Sequence, residues 1–444
     1  MRQLVIKNAR IVNEGLITEG DVKIDGERIA KIASSISVPA TAQVIDANGA
    51  VLMPGMIDDQ VHFREPGMTH KGTIASESRA AVAGGITSYM EMPNVKPSTT
   101  TIPALEQKHA IAAQSSLANY SFYLGASLDN LDQIKQVDPS KVCGVKVFMG
   151  ASTGDLLVDQ PDVLEDIFRE CPVLIATHCE NGAVIADNLA RVLQTNNELT
   201  IDHHPIIRDA ESCYQSSSFA VNLAKRHGTQ LNVLHITTAR ELELFEPGSV
   251  VGKSITAEAC VHHLWFSKRD YAQRGNLIKC NPAIKAESDR LAILQAIRDQ
   301  RIDIIATDHA PHTWVEKQQA YAQAPAGLPL VQHALLTLFE QVKRGQLTLA
   351  QVVEKTAHNP ALRYQVAERG FIREGYFADL ALIDPNQGTS VTHRNTNYLC
   401  QWSPFDGVDF SAKVMATLVN GQQVYDGSQT IASAAIGQAL KFDR

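Results

Sequence analysis

The sequence predicts an α/β protein: a (β/α)8 TIM barrel with a small composite β-sandwich domain formed by both termini. Three observations predict it. Between residues 54 and 365, short apolar runs alternate with helical patterns of about ten to twenty residues, the signature of repeated βα units and a parallel sheet. Both ends of the chain instead alternate apolar and polar residues in short runs broken by Gly and Asn, as antiparallel sheet does. Polar clusters sit at or just beyond the ends of most apolar runs, where a barrel carries its functional groups on βα loops.

The elements follow in order. Leu4-Val5-Ile6-Lys7-Asn8-Ala9-Arg10-Ile11-Val12 and Gly20-Asp21-Val22-Lys23-Ile24-Asp25-Gly26 open the small domain. Eight candidate barrel strands come next, near 55–62, 86–92, 120–125, 143–149, 173–178, 231–236, 253–258 and 302–307. Helical patterns such as Ala210 to Arg226 and Ser288 to Arg298 lie between them. The antiparallel texture returns in Ala378-Asp379-Leu380-Ala381-Leu382-Ile383-Asp384 and in Lys413-Val414-Met415-Ala416-Thr417-Leu418-Val419. The expected domains are therefore 1–53 plus 366–444, pairing as one sheet domain, and the barrel 54–365. A doubly wound open sheet is the alternative. No Gly-x-Gly-x-x-Gly turn follows the early strands, and the polar groups spread over most strands instead of one switch point.

Composition narrows the function classes. The 444 residues, 44% hydrophobic and 20% charged, are ordinary for a soluble globular protein with a sizeable core. A net charge of −8 disfavours nucleic acid and anionic membranes as partners. No apolar run approaches the roughly 18 residues that span a bilayer, and the start lacks the features of a signal peptide. The seven cysteines are scattered without Cys-x-x-Cys spacing, which argues against a disulfide framework and a thiolate zinc site. A cytoplasmic location is expected.

The candidate chemistry sits at strand ends. His178 or His235 alone reads more readily as a surface or hydrogen-bonded residue than as a ligand. With Asp308, they supply the imidazole and carboxylate donors that ions such as Zn²⁺ accept, at termini able to converge on one axis. Lys146 lies inside the apolar run Gly144-Val145-Lys146-Val147-Phe148-Met149, where an unpaired ammonium is costly. A substrate-binding ammonium, a Schiff-base lysine, an outward-facing lysine and a CO₂-derived carbamate bridging two metal ions all fit its position.

Met53-Pro54-Gly55-Met56-Ile57-Asp58, His62-Phe63-Arg64-Glu65-Pro66-Gly67, Met92-Pro93-Asn94, Val145-Lys146-Val147-Phe148-Met149, Thr177-His178-Cys179-Glu180, His235-Ile236-Thr237-Thr238, Lys279-Cys280-Asn281-Pro282 and Ala306-Thr307-Asp308-His309-Ala310-Pro311-His312 together resemble the dihydroorotases of the amidohydrolase superfamily. The resemblance spans essentially the whole chain. Its Phe-Arg-Glu-Pro-Gly and Asp-His-Ala-Pro-His runs are fairly specific to dihydroorotases; the rest is shared with hydantoinases and allantoinases.

The resemblance implies zinc-dependent, reversible hydrolysis of (S)-dihydroorotate to N-carbamoyl-L-aspartate in de novo pyrimidine (UMP) biosynthesis, with one or two Zn²⁺. It implies that His62 and Asp308 bind a first ion and His178 and His235 a second, with Lys146, carboxylated, between them. Asp308 would be the catalytic residue, taking a proton from the attacking water and delivering it to the departing ring nitrogen. Arg64, Asn94, Asn281 and His312 would clamp the substrate carboxylate, with Ala326 and Gly327 offering backbone contacts. Read from the residues alone, Arg64 could equally salt-bridge Glu65, and Asn94 could be a turn residue.

One position departs from the family. Where His-x-His is expected after the first barrel strand, this chain has Gln60-Val61-His62, and a carboxamide is a weak donor for zinc. Gln60 thus stands as the doubtful member of the metal set. The site holds two ions with Gln60 or water in that place, or one ion, or is idle in a scaffold partner of aspartate transcarbamoylase. The retained ligands and clamp favour catalysis. Another cyclic amidohydrolase, a hydantoinase or allantoinase, is the further alternative, and a homodimer is implied by the family. His70, Lys71, His203, His204, His262 and His263 read as surface or loop residues, and His309 as one that orients its neighbours.

Overall fold

The computed structural model describes residues 3–150, 156–432 and 434–444. Eight parallel strand positions follow one another around the barrel: Met56–Val61, Ile86–Glu91, Asn119–Phe122 with Leu124–Gly125, Val145–Phe148, Ile175–His178, Leu231–Val233, Ile255–Cys260 and Ile304–Ala306. Each pairs in parallel with its neighbour. The ring closes where Val61 bridges His309 and the His62 N–H donates to the His309 carbonyl at 2.7 Å. Nearly all these strand residues are buried, including polar ones such as Asp58, Asp59, Asn119, Asn232 and Glu258 that break the apolar runs. Helices Ala210–His227 and Glu287–Arg298 occupy the predicted positions. The first is capped by Asp209, which accepts from the Ser212 N–H, and ends at Gly228 in the left-handed conformation (φ 70°).

Two strands differ from their predicted form. The third breaks at Tyr123, whose hydroxyl crosses to the Asp59 carbonyl at 3.0 Å and the Tyr364 hydroxyl at 2.8 Å. The seventh runs on to Cys260, and the helix Val261–Trp265 starts at once, so His262 and His263 are fully buried. The surface reading of these two histidines is wrong.

The composite domain is an eight-stranded mixed sheet. Gln3–Asn13, Leu16–Asp25, Arg28–Ala33, Gln43–Asp46 and Val51–Pro54 come from the first part of the chain, and Leu380–Asp384, Lys413–Val419 and Gln422–Tyr425 from the last. The halves meet where Val51–Pro54 pairs antiparallel with Leu380–Asp384. Leu4, Ile6, Ile24, Leu52, Leu380 and Leu418 build a cluster of their own, apart from the barrel core.

The final quarter of the chain also reaches back to the barrel. Trp402 and Phe410, which lie between two sheet strands in sequence, join the barrel's hydrophobic cluster. Trp402 is fully buried and its Nε1–H donates to the His312 carbonyl at 2.7 Å. Truncating a buried Trp to Ala typically costs about 3–5 kcal/mol. Ala439 and Phe442 then bridge to Tyr120 and Val366. No described helix is long and apolar enough to cross a membrane.

Candidate functional site

A cavity of about 430 Å³ opens at the C-terminal ends of the barrel strands. Every residue put forward from the sequence lines it: Gln60, His62, Arg64, Asn94, Lys146, His178, His235, Asn281, Asp308, His312, Ala326 and Gly327. Three of them sit where a strand gives way to its loop with left-handed backbone, Arg64 at φ 70°, His235 at 42° and Asp308 at 52°. Such conformations cost about 1–3 kcal/mol each in non-glycine residues and persist where the surroundings hold them. Here they turn consecutive side chains away from the strand's regular alternation and toward one mouth.

Two histidines face each other on one wall. His178 Nδ1 and His235 Nε2 are 3.0 Å apart. His178 Nε2 lies 3.0 Å from Glu180, which in turn accepts from the Arg208 guanidinium. Burial opposes ionisation of Glu180, but Arg208 and His178 outweigh it and hold the carboxyl down at about 2. Donating Nε2–H to that carboxylate leaves His178 Nδ1 as a lone pair aimed at His235. Burial pushes both imidazoles below their ordinary range, which favours the neutral form that a metal requires.

His62, Asp308 and Gln60 form a second group lining the cavity. His62 Nδ1 lies 2.7 Å from Asn94 Oδ1 and His62 Nε2 lies 3.0 Å from Asp308 Oδ1. If Nδ1–H donates to Asn94, neutral His62 presents a lone pair to a carboxylate, an arrangement that calls for a cation between them. Burial disfavours the imidazolium. A divalent ion is the remaining cation of the right chemistry, and the donor set fits one. Gln60 donates from Nε2 to the same Asp308 oxygen at 3.1 Å, while its Oε1 lies 3.7 Å from Cys260 Sγ.

Lys146 is 1% exposed at the cavity base, which removes the outward-facing reading. Among the described residues none accepts a hydrogen bond from its amine, and its Nζ lies 4.7 Å from the Phe148 ring. Burial pushes its pKa down to about 8, against the pull of Asp308 and Glu258. A neutral amine is therefore available near neutral pH, as carbamate formation needs.

A third group suits an anion. Arg64 is 6% exposed and donates from Nε to the Pro311 carbonyl at 3.1 Å. No described carboxylate forms an ion pair with it; Glu65 instead accepts from the Ile74 N–H at 2.8 Å, so the Glu65 salt bridge is absent. Asn281 Oδ1 is buried without a hydrogen-bond partner among the described residues. His312 Nδ1 lies 3.0 Å from the Lys71 ammonium, and its Nε2 stands between the Arg64 guanidinium (3.1 Å) and the Ala326 carbonyl (3.0 Å). Lys71 also pairs with Glu316 at 2.8 Å, so it is a buttress of the site and not a surface lysine. Gly327 has φ 141°, and a Cβ there would stand 2.4 Å from the Ala310 carbonyl, so only glycine fits.

Several supporting residues escaped the sequence reading. Lys317 is fully buried and donates to the carbonyls of Lys279 (3.2 Å), Pro325 (2.9 Å) and Gly327 (3.0 Å), fixing the loop that bears Ala326. Glu180 stands two residues after His178, a spacing that could have flagged it; Arg208 and Lys317 carry no such signal. His204 is buried against the Cys280 carbonyl at 2.8 Å, contrary to its surface reading, whereas His70 is exposed. His309 is buried, meets Glu77 at 2.9 Å and accepts from the Leu330 N–H at 2.9 Å.

The amidohydrolase family profile matches residues 51–424. The chain belongs to the amidohydrolase family. This amidohydrolase is 32% identical over 429 residues to a dihydroorotase of Halobacterium salinarum, covering 94% of this chain and 97% of that one. It is 30% identical to an allantoinase of Enterococcus faecalis over 455 residues, 99% of each chain. The solved L-hydantoinase (dihydropyrimidinase) of Arthrobacter aurescens superposes with a TM-score of 0.92 at 25% identity, covering 99% of this chain and 100% of that one.

Proposed function

We propose that this amidohydrolase is a zinc-dependent dihydroorotase, opening the ring amide of (S)-dihydroorotate to N-carbamoyl-L-aspartate, and closing it in reverse, in de novo pyrimidine biosynthesis. The observation that carries the reading is Arg64, a buried guanidinium without a described carboxylate partner, in the same cavity as the His62, His178, His235 and Asp308 donors. A cyclic amide that bears its own carboxylate answers both. A hydantoin ring without a carboxylate would leave Arg64 uncompensated.

His62 and Asp308 would hold one ion and His178 and His235 another, with the Lys146 carbamate between them. Bound there, Zn²⁺ would acidify water and polarise the ring carbonyl. Arg64 binds the substrate carboxylate through its planar fork, and Asn94, Asn281 and His312 complete the clamp. The Ala326–Gly327 backbone meets the ring edge. Asp308 accepts a proton from the attacking water as the C–O bond forms, then returns it to the ring nitrogen as the C–N bond breaks. Glu180 and Arg208 keep His178 in the tautomer that leaves Nδ1 free.

The deciding assay is hydrolysis of L-dihydroorotate by protein supplied with Zn²⁺ and bicarbonate at slightly alkaline pH, beside hydantoin and allantoin. Turnover of dihydroorotate alone, abolished by a chelator, supports the proposal. Turnover of hydantoin or allantoin instead transfers it to those activities. Absence of any turnover by folded, zinc-loaded protein favours an idle scaffold, and an aspartate transcarbamoylase becomes the partner to seek.

A further inference from the structure

Cys260 closes the seventh barrel strand, and His262 and His263 lie in the first turn of the helix that follows. One ligand atom from each lies within 4.8 Å of the others, and all three side chains are buried. Neither nitrogen of His262 has a hydrogen-bond partner among the described residues, nor has Nδ1 of His263. The Thr307 carbonyl lies close enough to His262 to act on one ring nitrogen as a weak acceptor, which still leaves the other nitrogen without a partner. His263 Nε2 is 3.2 Å from the Pro282 carbonyl. Cys260 Sγ makes only long contacts, 3.5 Å to Glu258 Oε1 and 3.7 Å to Gln60 Oε1.

Buried polar atoms without partners cost about 1–3 kcal/mol each, and in folded proteins they point to a bound water or ion. Two adjacent imidazole rings, centroids 3.9 Å apart, concentrate three such atoms in one spot. We propose that Cys260, His262 and His263 form a second metal site, for Zn²⁺ or a similar thiolate-seeking ion, sharing no ligand with the hydrolytic cluster. One sulfur and two imidazole nitrogens are a set that tetrahedral zinc accepts, with the fourth position left to water. A hard ion such as Mg²⁺ would be refused. The Cys-x-His-His spacing lacks the Cys-x-x-Cys signature, so the sequence pattern concealed it. Occupancy draws the Cys260 sulfur to the ion and frees the Gln60 carboxamide oxygen it now faces.

The test is cobalt substitution of the full chain after chelator treatment, read as thiolate-to-cobalt charge transfer in the near ultraviolet. The hydrolytic cluster contains no cysteine, so its own occupancy gives no such band. Wild type is expected to show the band and Cys260→Ser to lose it, together with one equivalent of bound metal. His62→Ala, which damages only the hydrolytic cluster, should keep it. A fully loaded wild type without the band, or a Cys260→Ser protein that retains it, overturns the proposal. Should Cys260→Ser fail to fold, X-ray absorption of zinc-loaded wild type decides: sulfur in the zinc shell is expected, and a shell of nitrogen and oxygen alone overturns the site. A water filling the gap gives that last result. Because the readout is metal content and ligation, it stands whether or not dihydroorotate is the substrate.

Discussion

Gln60 donates its carboxamide N–H to Asp308 Oδ1 at 3.1 Å, the same oxygen that stands 3.0 Å from His62 Nε2. One carboxylate oxygen thus serves a neutral donor and a ligand position together. Replacing the donor with an imidazole would relieve that competition and add a stronger ligand. Gln60→His should bind Zn²⁺ at least about tenfold more tightly, a gain of roughly 1.4 kcal/mol, by competition with a chromophoric chelator. Unchanged affinity would mean that residue 60 does not face the ion.

Lys146→Ala should abolish hydrolysis, and short carboxylic acids should restore part of it by standing in for the carbamate. Full activity in the unrescued variant would remove Lys146 from the chemistry. The pH dependence has a definite sign. Burial lowers the amine to about 8, and CO₂ adds only to the neutral form. Bicarbonate-driven activation of metal-stripped enzyme should therefore accelerate as pH rises through about 8 and slow below it. Activation with the opposite slope would exclude the carbamate.

Arg64→Ala should raise KM for dihydroorotate about tenfold to a hundredfold, since a charge-assisted hydrogen bond is worth about 1.5–3 kcal/mol. Steady-state kinetics with an unchanged KM would defeat the clamp.

Glu180→Gln should weaken metal retention by about tenfold to a hundredfold, the usual effect of losing a partner behind a ligating histidine. His178 and Arg208 both meet the same Glu180 oxygen, Oε2, so loss of the carboxylate charge weakens both contacts. Dialysis against graded chelator measures the change; retention equal to wild type would show that His178 is not held by this pair.

Lys317→Met should raise KM more than it lowers kcat. It leaves the Lys279, Pro325 and Gly327 carbonyls without their shared donor and loosens the loop bearing Ala326. Equal losses in both constants would move Lys317 from positioning the loop to the reacting atoms.

The barrel was legible because each strand lies inside it. Runs such as Val145–Phe148 and Ile175–His178 are buried throughout, so they read as mostly apolar segments with the chemistry in or at the end of them. The metal-ligand candidates were legible for the same reason, standing where those runs stop. What stayed hidden depends on distant chain. Lys317 looks like a surface lysine until the Pro325 and Gly327 carbonyls close around it. His262 and His263 look like loop residues until the seventh strand proves to reach Cys260 and delivers them into the interior. Tyr123 sends its hydroxyl to Asp59 and Tyr364, partners far away in sequence.

Trp402 belongs by sequence to the half of the chain that builds the small domain, yet its indole holds the His312 carbonyl. The segment around Trp402 is thus a physical part of the barrel's rim. A recombination that exchanged the barrel and kept the old carboxyl-terminal segment would have to match that indole to a new loop, or lose the anchor behind His312.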